Sequence, residues 1–201
     1  MTRPNFENAK AYVLKRLENE LSPRLIYHTL AHTQEEVVPA VEQLAAAEGV
    51  NGEDLLLLRT AAYFHDLGYI RDSQPHEYNS IQIAKDVLPG FGYSEAQIAT
   101  IEGIILATKL PQSPHNLLEE IMADADLDGL GCDNFLERGL NLRAEQERAG
   151  RRVSDREWYL NQIHFLEDHH YWTRTARLWR EPRKQENIRM LKGLLDSLSP
   201  Q

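Results

Sequence analysis

Apolar residues recur at three- and four-residue spacing along most of the chain, which is the signature of helices with one buried face. Phe6, Tyr12, Val13, Leu14, Leu17 and Leu21 predict a first helix, closed by Pro23. A second is predicted from about Thr29 to Glu48, with Gly49 as its stop and Pro39 as an internal kink. Asn51 caps a third, which carries Leu55 to Leu58 and ends near His65 and Asp66. After a looser stretch from Gly68 to Pro75, a fourth runs from about His76 to Leu88. Ser94 and Gln97 form a capping box for a fifth that reaches about Thr108, and Pro111 and Pro114 bracket the loop behind it. A sixth begins near Asn116 and passes through Asp124 and Asp126 to Gly129 and Gly131. Ser154 and Glu157 form another capping box, for a helix through His164 and Glu167, and Asn187 to Leu198 reads as the last helix. No segment shows convincing strand alternation. The pattern predicts an all-α bundle: one domain over residues 1–201, with a core at about 25–131 and a helical extension over 132–201.

Composition narrows the function more than the fold. The chain has 201 residues, 42% hydrophobic and 26% charged, as in ordinary globular proteins. No apolar run approaches the roughly 20 residues needed to span a bilayer, and the N-terminus lacks the apolar core of a signal peptide. Cys132 is the single cysteine, so an internal disulfide is excluded and a cytoplasmic setting is expected. The net charge of −9 argues against a nucleic-acid polymer as partner, because that affinity comes from Lys and Arg on phosphates. A small phosphorylated substrate stays compatible, since a bound cation outweighs the global charge locally.

The chemistry gathers first at His65-Asp66, which follows the apolar run Ala61-Ala62-Tyr63-Phe64. A carboxylate removed from water costs several kcal/mol unless a cation or strong donors offset it. A divalent metal held by the imidazole and the carboxylate would do so. A helix C-terminus with Asp66 in water would look the same in sequence. Three other places offer ligands: His28 and His32, four apart; His76-Glu77; and the acids Asp124, Asp126 and Asp128, set among Ile, Met, Ala and Leu.

Taken in order, His32, then His65-Asp66, then an acid of the 124–128 cluster, the chain resembles the HD-domain metal-dependent phosphohydrolases over about residues 25–131. Tyr27-His28, the His76-Glu77-x-x-Ser80 stretch and Asp124-Ala125-Asp126-Leu127 are similar to a subgroup of small HD proteins. The resemblance implies an all-helical HD-type core and a metal held by His32, His65, Asp66 and Asp126, with Asp124 as the alternative last ligand. Ala125-Asp126-Leu127 is similar to the ligand segment of cyclic-nucleotide phosphodiesterases, which favours Asp126. Mixed nitrogen and oxygen ligation suits Mn, Fe, Co, Ni or Zn, with Mg also found in such sites. Two-metal HD proteins add two histidines before the last aspartate. His76 falls where the first lies, but residues 104–109 supply no second, so one divalent ion is expected.

The activity implied is hydrolysis of a small phosphate ester such as a nucleotide, with metal-activated water as nucleophile. Catalytic candidates are Asp66, His76, Glu77 and Lys109, and substrate-binding candidates are His28, Lys109 and Arg71. Some HD nucleotidases and alarmone hydrolases carry a proton-donating acid shortly after the His-Asp pair. Tyr69 and Ile70 stand there in this chain, and Asp72 or Glu77 are the available replacements. A non-catalytic sensor of a phosphorylated ligand is the main alternative, ahead of a di-iron oxygenase or a scaffold with an empty site. No membrane partner is expected, and a homodimer is compatible with the sequence. The tail residues His164, His169 and His170 read mainly as packing beside Phe165, Tyr171 and Trp172, and the Arg174, Arg177, Arg180, Arg183 run as a solvated face.

Overall fold

Asn5 accepts the Asn8 amide at 3.1 Å and opens α1 (Phe6–Glu20), whose Ala9, Val13 and Leu17 turn inward. The computed structural model describes residues 4–71 and 75–198, and among these the elements are helices with no strand. After an irregular stretch, the chain re-enters helix just before His32. Residues His32–Val37 form a π-helical turn that leads into α2 (Val38–Ala47). The Val38 amide reaches back to the Thr33 carbonyl, one residue farther than in an α-helix. Pro39 explains the widening: it brings no N–H, and its ring crowds the carbonyl four residues back. The predicted kink is therefore a π-turn, and His32 stands at its start.

Helix α3 (Gly52–Phe64) buries Leu58, Ala61, Ala62 and Phe64 completely and stops at His65. Helix α4 (His76–Val87) starts directly after Pro75. Both Ser94 capping-box bonds are present at the start of α5 (Glu95–Leu106). Asn116 caps α6 (Leu117–Asp126), which ends five residues before the predicted Gly131; the chain tightens there into a 3-10 turn at Asp128–Gly131. Three more helices follow: α7 (Phe135–Arg148), α8 (Asp155–Asp168) behind the Ser154 capping box, and α9 (Arg174–Ser197). Helix α9 begins well before Asn187 and runs through Pro182. Its start is fixed by Thr173, whose hydroxyl accepts the Ala176 amide at 3.1 Å, and its middle by the buried Asn187, which donates to the Leu130 carbonyl at 2.9 Å. Tertiary anchors outweigh the proline signal that argues against one long helix. No helix among the described residues is long and apolar enough to cross a membrane.

The main core is built from α1 to α6 and takes in Tyr171 and Ala176 from the C-terminal segment. A second cluster, around Phe135, Ile163, Leu166, Ile188 and Leu191, joins α7, α8 and α9. The two are fastened by Asp124, which is fully buried and accepts Trp172 N, Thr173 N and Thr173 Oγ1, each at 2.8 Å.

The turn after α3 holds the His-Asp pair against α4. Ser80 Oγ donates to the His65 carbonyl at 2.5 Å and accepts the Gly68 amide at 2.7 Å. A Cβ at Gly68 would lie 1.9 Å from the His76 carbonyl oxygen. Gly68→Ala is therefore expected to push the start of α4 outward and to cost about 2 kcal/mol, the ordinary scale of overpacking. Urea unfolding against wild type measures it; an unchanged midpoint would show that the two segments separate freely.

Candidate metal centre

Helix α3 and its turn deliver His65 and Asp66, the π-turn delivers His32, and the last residue of α6 is Asp126. His65 is fully buried, and its Nδ1 lies 2.7 Å from the Ala62 carbonyl oxygen. A carbonyl only accepts, so Nδ1 carries the proton and Nε2 presents a lone pair. His32 Nδ1 lies 2.9 Å from Glu36 Oε2 and follows the same logic. Both free Nε2 lone pairs then face carboxylate oxygens. His65 Nε2 is 3.3 Å from Asp66 Oδ2 and 3.4 Å from Asp126 Oδ1, and His32 Nε2 is 3.7 and 3.6 Å from the same two atoms.

Four acceptors turned on one another are repulsive unless a cation lies between them. His65 Nε2 and Asp66 Oδ2 are buried without a hydrogen-bond partner, as atoms meant for a metal would be. Donors bound at about 2.0–2.2 Å around a divalent ion stand about 3.0–3.5 Å from their neighbours. The observed spacings need only a small inward adjustment. His32, His65 and Asp66 form a group able to hold a metal ion.

The electrostatics follow from this crowding. Burial alone would lower the His32 pKa, but hydrogen bonding to Asp126 and Glu36 and the charge of Asp66 raise it to about 9. His65 moves up in the same way, against its burial, through Asp66 and Asp126. Burial pushes the carboxyls of Asp66 and Asp126 upward, and the facing histidines more than reverse this, leaving both below the usual carboxylate range. Imidazoles and carboxylates brought this close favour a positive charge between them, and a metal bound there would take the place of any proton they share.

Asp124 faces away from this centre. It is the acceptor that holds Trp172 and Thr173, and its carboxyl is raised to about 6 mainly by burial. Asp128 is also turned aside, toward Arg180 Nε at 2.6 Å.

A cavity of about 720 Å³ opens from the metal-facing atoms. His28, Arg71, His76, Glu77 and Lys109 line it together with His32, Asp66 and Asp126, so the structure brings these candidates to one space. His76 Nε2 lies 3.4 Å from Asp66 Oδ1, and Glu77 is buried with Oε2 at 3.7 Å from His76 Nδ1. Lys109 Nζ donates to Tyr78 Oη at 3.1 Å. Asp72 lies outside the described residues. The arginine run of α9 contributes no lining residue; Arg180 and Arg183 pair with Asp128 and Asp133 instead. His169 accompanies Lys184, whose Nζ donates to the His169 carbonyl at 2.6 Å, and burial and that cation lower the His169 pKa to about 4.

Several contributors were not among the candidate site residues. Glu36 orients His32 and is itself paired with Arg138 of α7. Ser80 ties the His-Asp turn to α4. Tyr69 is stacked between His28 and His76, with ring centroids 4.4 and 4.1 Å apart. Glu145, also on α7, meets His28. The four-residue spacing of His32 and Glu36 could have suggested Glu36, and the His76-Glu77-x-x-Ser80 stretch contained Ser80, but nothing local points to Glu145 or Arg138.

Residues 25–127 match the HD domain family, and the chain belongs to it. Solved structures share the whole fold. A protein described as a predicted HD superfamily hydrolase from an uncultured Thermotogales bacterium is 18% identical with a TM-score of 0.65, over 96% of this chain and 92% of that one. Bacillus subtilis YpgQ, solved in complex with ADP, is 16% identical with a TM-score of 0.66, over 97% and 98%. A protein from Lactobacillus plantarum is 18% identical with a TM-score of 0.67, over 98% and 100%. At these identities the likeness is one of fold. No curated protein matches the sequence.

Proposed function

We propose that this protein is a metal-dependent phosphohydrolase acting on a small phosphate ester, with a nucleotide as the substrate class that suits it best. The observation that carries this reading is the convergence of His32 Nε2, His65 Nε2, Asp66 Oδ2 and Asp126 Oδ1 at the inner end of a cavity of ligand size. These four side chains would hold one divalent ion, with Glu36 and the Ala62 carbonyl orienting the imidazoles. Such an ion polarises a phosphoryl oxygen and lowers the pKa of a water molecule.

The remaining residues bind and orient. Arg24, Arg71, Lys109 and Arg151 line the same cavity, a concentration of cations in a chain of net charge −9. Guanidinium and ammonium groups there suit phosphate oxygens. His76, held by Asp66 Oδ1, and Lys109 are the donors that face the phosphoryl group and its leaving oxygen. His28 and Tyr69 continue the wall that begins at His76. Thr108 and Lys109 occupy the stretch where a two-metal centre would need its second histidine, which supports one ion. The ADP bound to YpgQ, a protein of the same fold, supports a nucleotide in the cavity.

The test is phosphate release from a panel of nucleotides, phosphomonoesters and phosphodiesters, with chelated protein reloaded with Mn, Fe, Co, Ni, Zn or Mg. Turnover should vanish with the metal and return with at least one ion. Nucleotide binding without release under every ion would make the protein a sensor and end the hydrolase reading.

A further inference from the structure

Helix α7 lies beyond the residues that match the HD domain, yet it reaches the substrate-facing wall. Residues 22–29 carry no helix, so their amides need partners from elsewhere. Glu145 supplies one for three in succession: Oε2 accepts Ile26 N at 2.9 Å, Tyr27 N at 2.8 Å and His28 N at 3.1 Å. Its other oxygen, Oε1, lies 2.5 Å from His28 Nδ1. Glu145 is itself buried, and its carboxyl is held below its ordinary range despite that burial, chiefly by His28. An ionised carboxylate only accepts, so Nδ1 must carry the proton. His28 Nε2 is then free to face Tyr69 Oη, at 3.3 Å, and the cavity that both residues line.

We propose that Glu145 is a positioning residue for the hydrolytic site: it fixes His28 in the Nδ1–H tautomer and holds Nε2 on the substrate side of the cavity. The inference rests on the hydrolase reading for its kinetic consequence, but not for its structural one. His28 is one end of the ring stack that continues through Tyr69 to His76 and so to Asp66. A tilt of His28 therefore reaches the metal-facing carboxylate through packed rings. Glu145 touches none of the four metal-facing atoms and acts only through this wall.

The experiment compares wild type, Glu145→Gln, Glu145→Asp, His28→Ala and the double variant H28A/E145Q. Gln keeps an oxygen for the loop amides but offers an NH2 group to Nδ1, which moves the His28 proton to Nε2. Nitrogen-15 NMR of the metal-free protein should show Nδ1–H in wild type, Nε2–H in E145Q, and Nδ1–H restored in Glu145→Asp. With Mn²⁺ added, E145Q should bind the ion as wild type does while kcat/KM for ADP falls roughly tenfold to a hundredfold, the scale of lost orienting partners. H28A should lose as much, and the double variant no more than H28A. An Nε2–H proton in wild type overturns the proposal even if E145Q fails to fold. So does a further fall in the double variant, which would mean that Glu145 only ties down the loop. If wild type releases no phosphate from any ester of the panel under any of the six ions, the hydrolase reading fails, and the tautomer data judge the Glu145 assignment by themselves; if another ester and ion are turned over, kcat/KM is read with that pair.

Discussion

His65→Ala is expected to lower affinity for divalent metal by at least about a hundredfold and kcat/KM by roughly a thousandfold. The side chain is fully buried, its Nδ1 is fixed by the Ala62 carbonyl, and its Nε2 has no partner except the facing carboxylates. No other described residue offers a nitrogen at that position: His76 approaches Asp66 from the Oδ1 side. Metal analysis of protein purified without chelators measures the first effect and phosphate release the second, with circular dichroism confirming the helices. Full metal content in the folded variant would remove His65 from the centre.

The second large effect separates two aspartates that the sequence barely distinguishes. Asp124→Ala should cost about 4 kcal/mol of stability, because it strands two buried backbone amides and the Thr173 hydroxyl, at about 1–3 kcal/mol for each unsatisfied group. In a domain of this size that corresponds to a melting temperature lower by about 10 °C. Residual folded protein should still bind Mn²⁺. Asp126→Asn should behave the opposite way, keeping its fold and losing metal, since Asp126 Oδ1 faces both imidazoles at 3.4 and 3.6 Å. Calorimetric melting and Mn²⁺ titration of the two variants side by side decide the matter. Loss of metal in Asp124→Ala with an unchanged melting temperature would exchange the two assignments.

Helices with strong local signals were legible from the text alone. The capping boxes at Ser94 and Ser154 are formed as read, and the Pro75-His76 boundary marks the start of α4. The elements that were not legible are those whose local signals conflict with their packing. Helix α7 is polar over most of its surface and is held through Phe135, Arg138 and Glu145. Helix α9 runs through a proline because Thr173 and Asn187 fix it to distant backbone.

The sequence by itself determined that the chain is helical, that apolar stripes bury one face of its early helices, and that a histidine and a carboxylate close a buried helix at residues 65 and 66. Those are properties of neighbours, set by spacing, caps and chain stiffness. Only the tertiary structure showed which acid faces the two imidazoles. Asp124 and Asp126 both follow alanine, but two residues on a helix are turned about 200° apart, so one meets the amides of Trp172 and Thr173 and the other meets His32 and His65. The same holds for Glu145 and Arg138: a charge takes its role from the group it faces, and packing brings that group from a distant part of the chain.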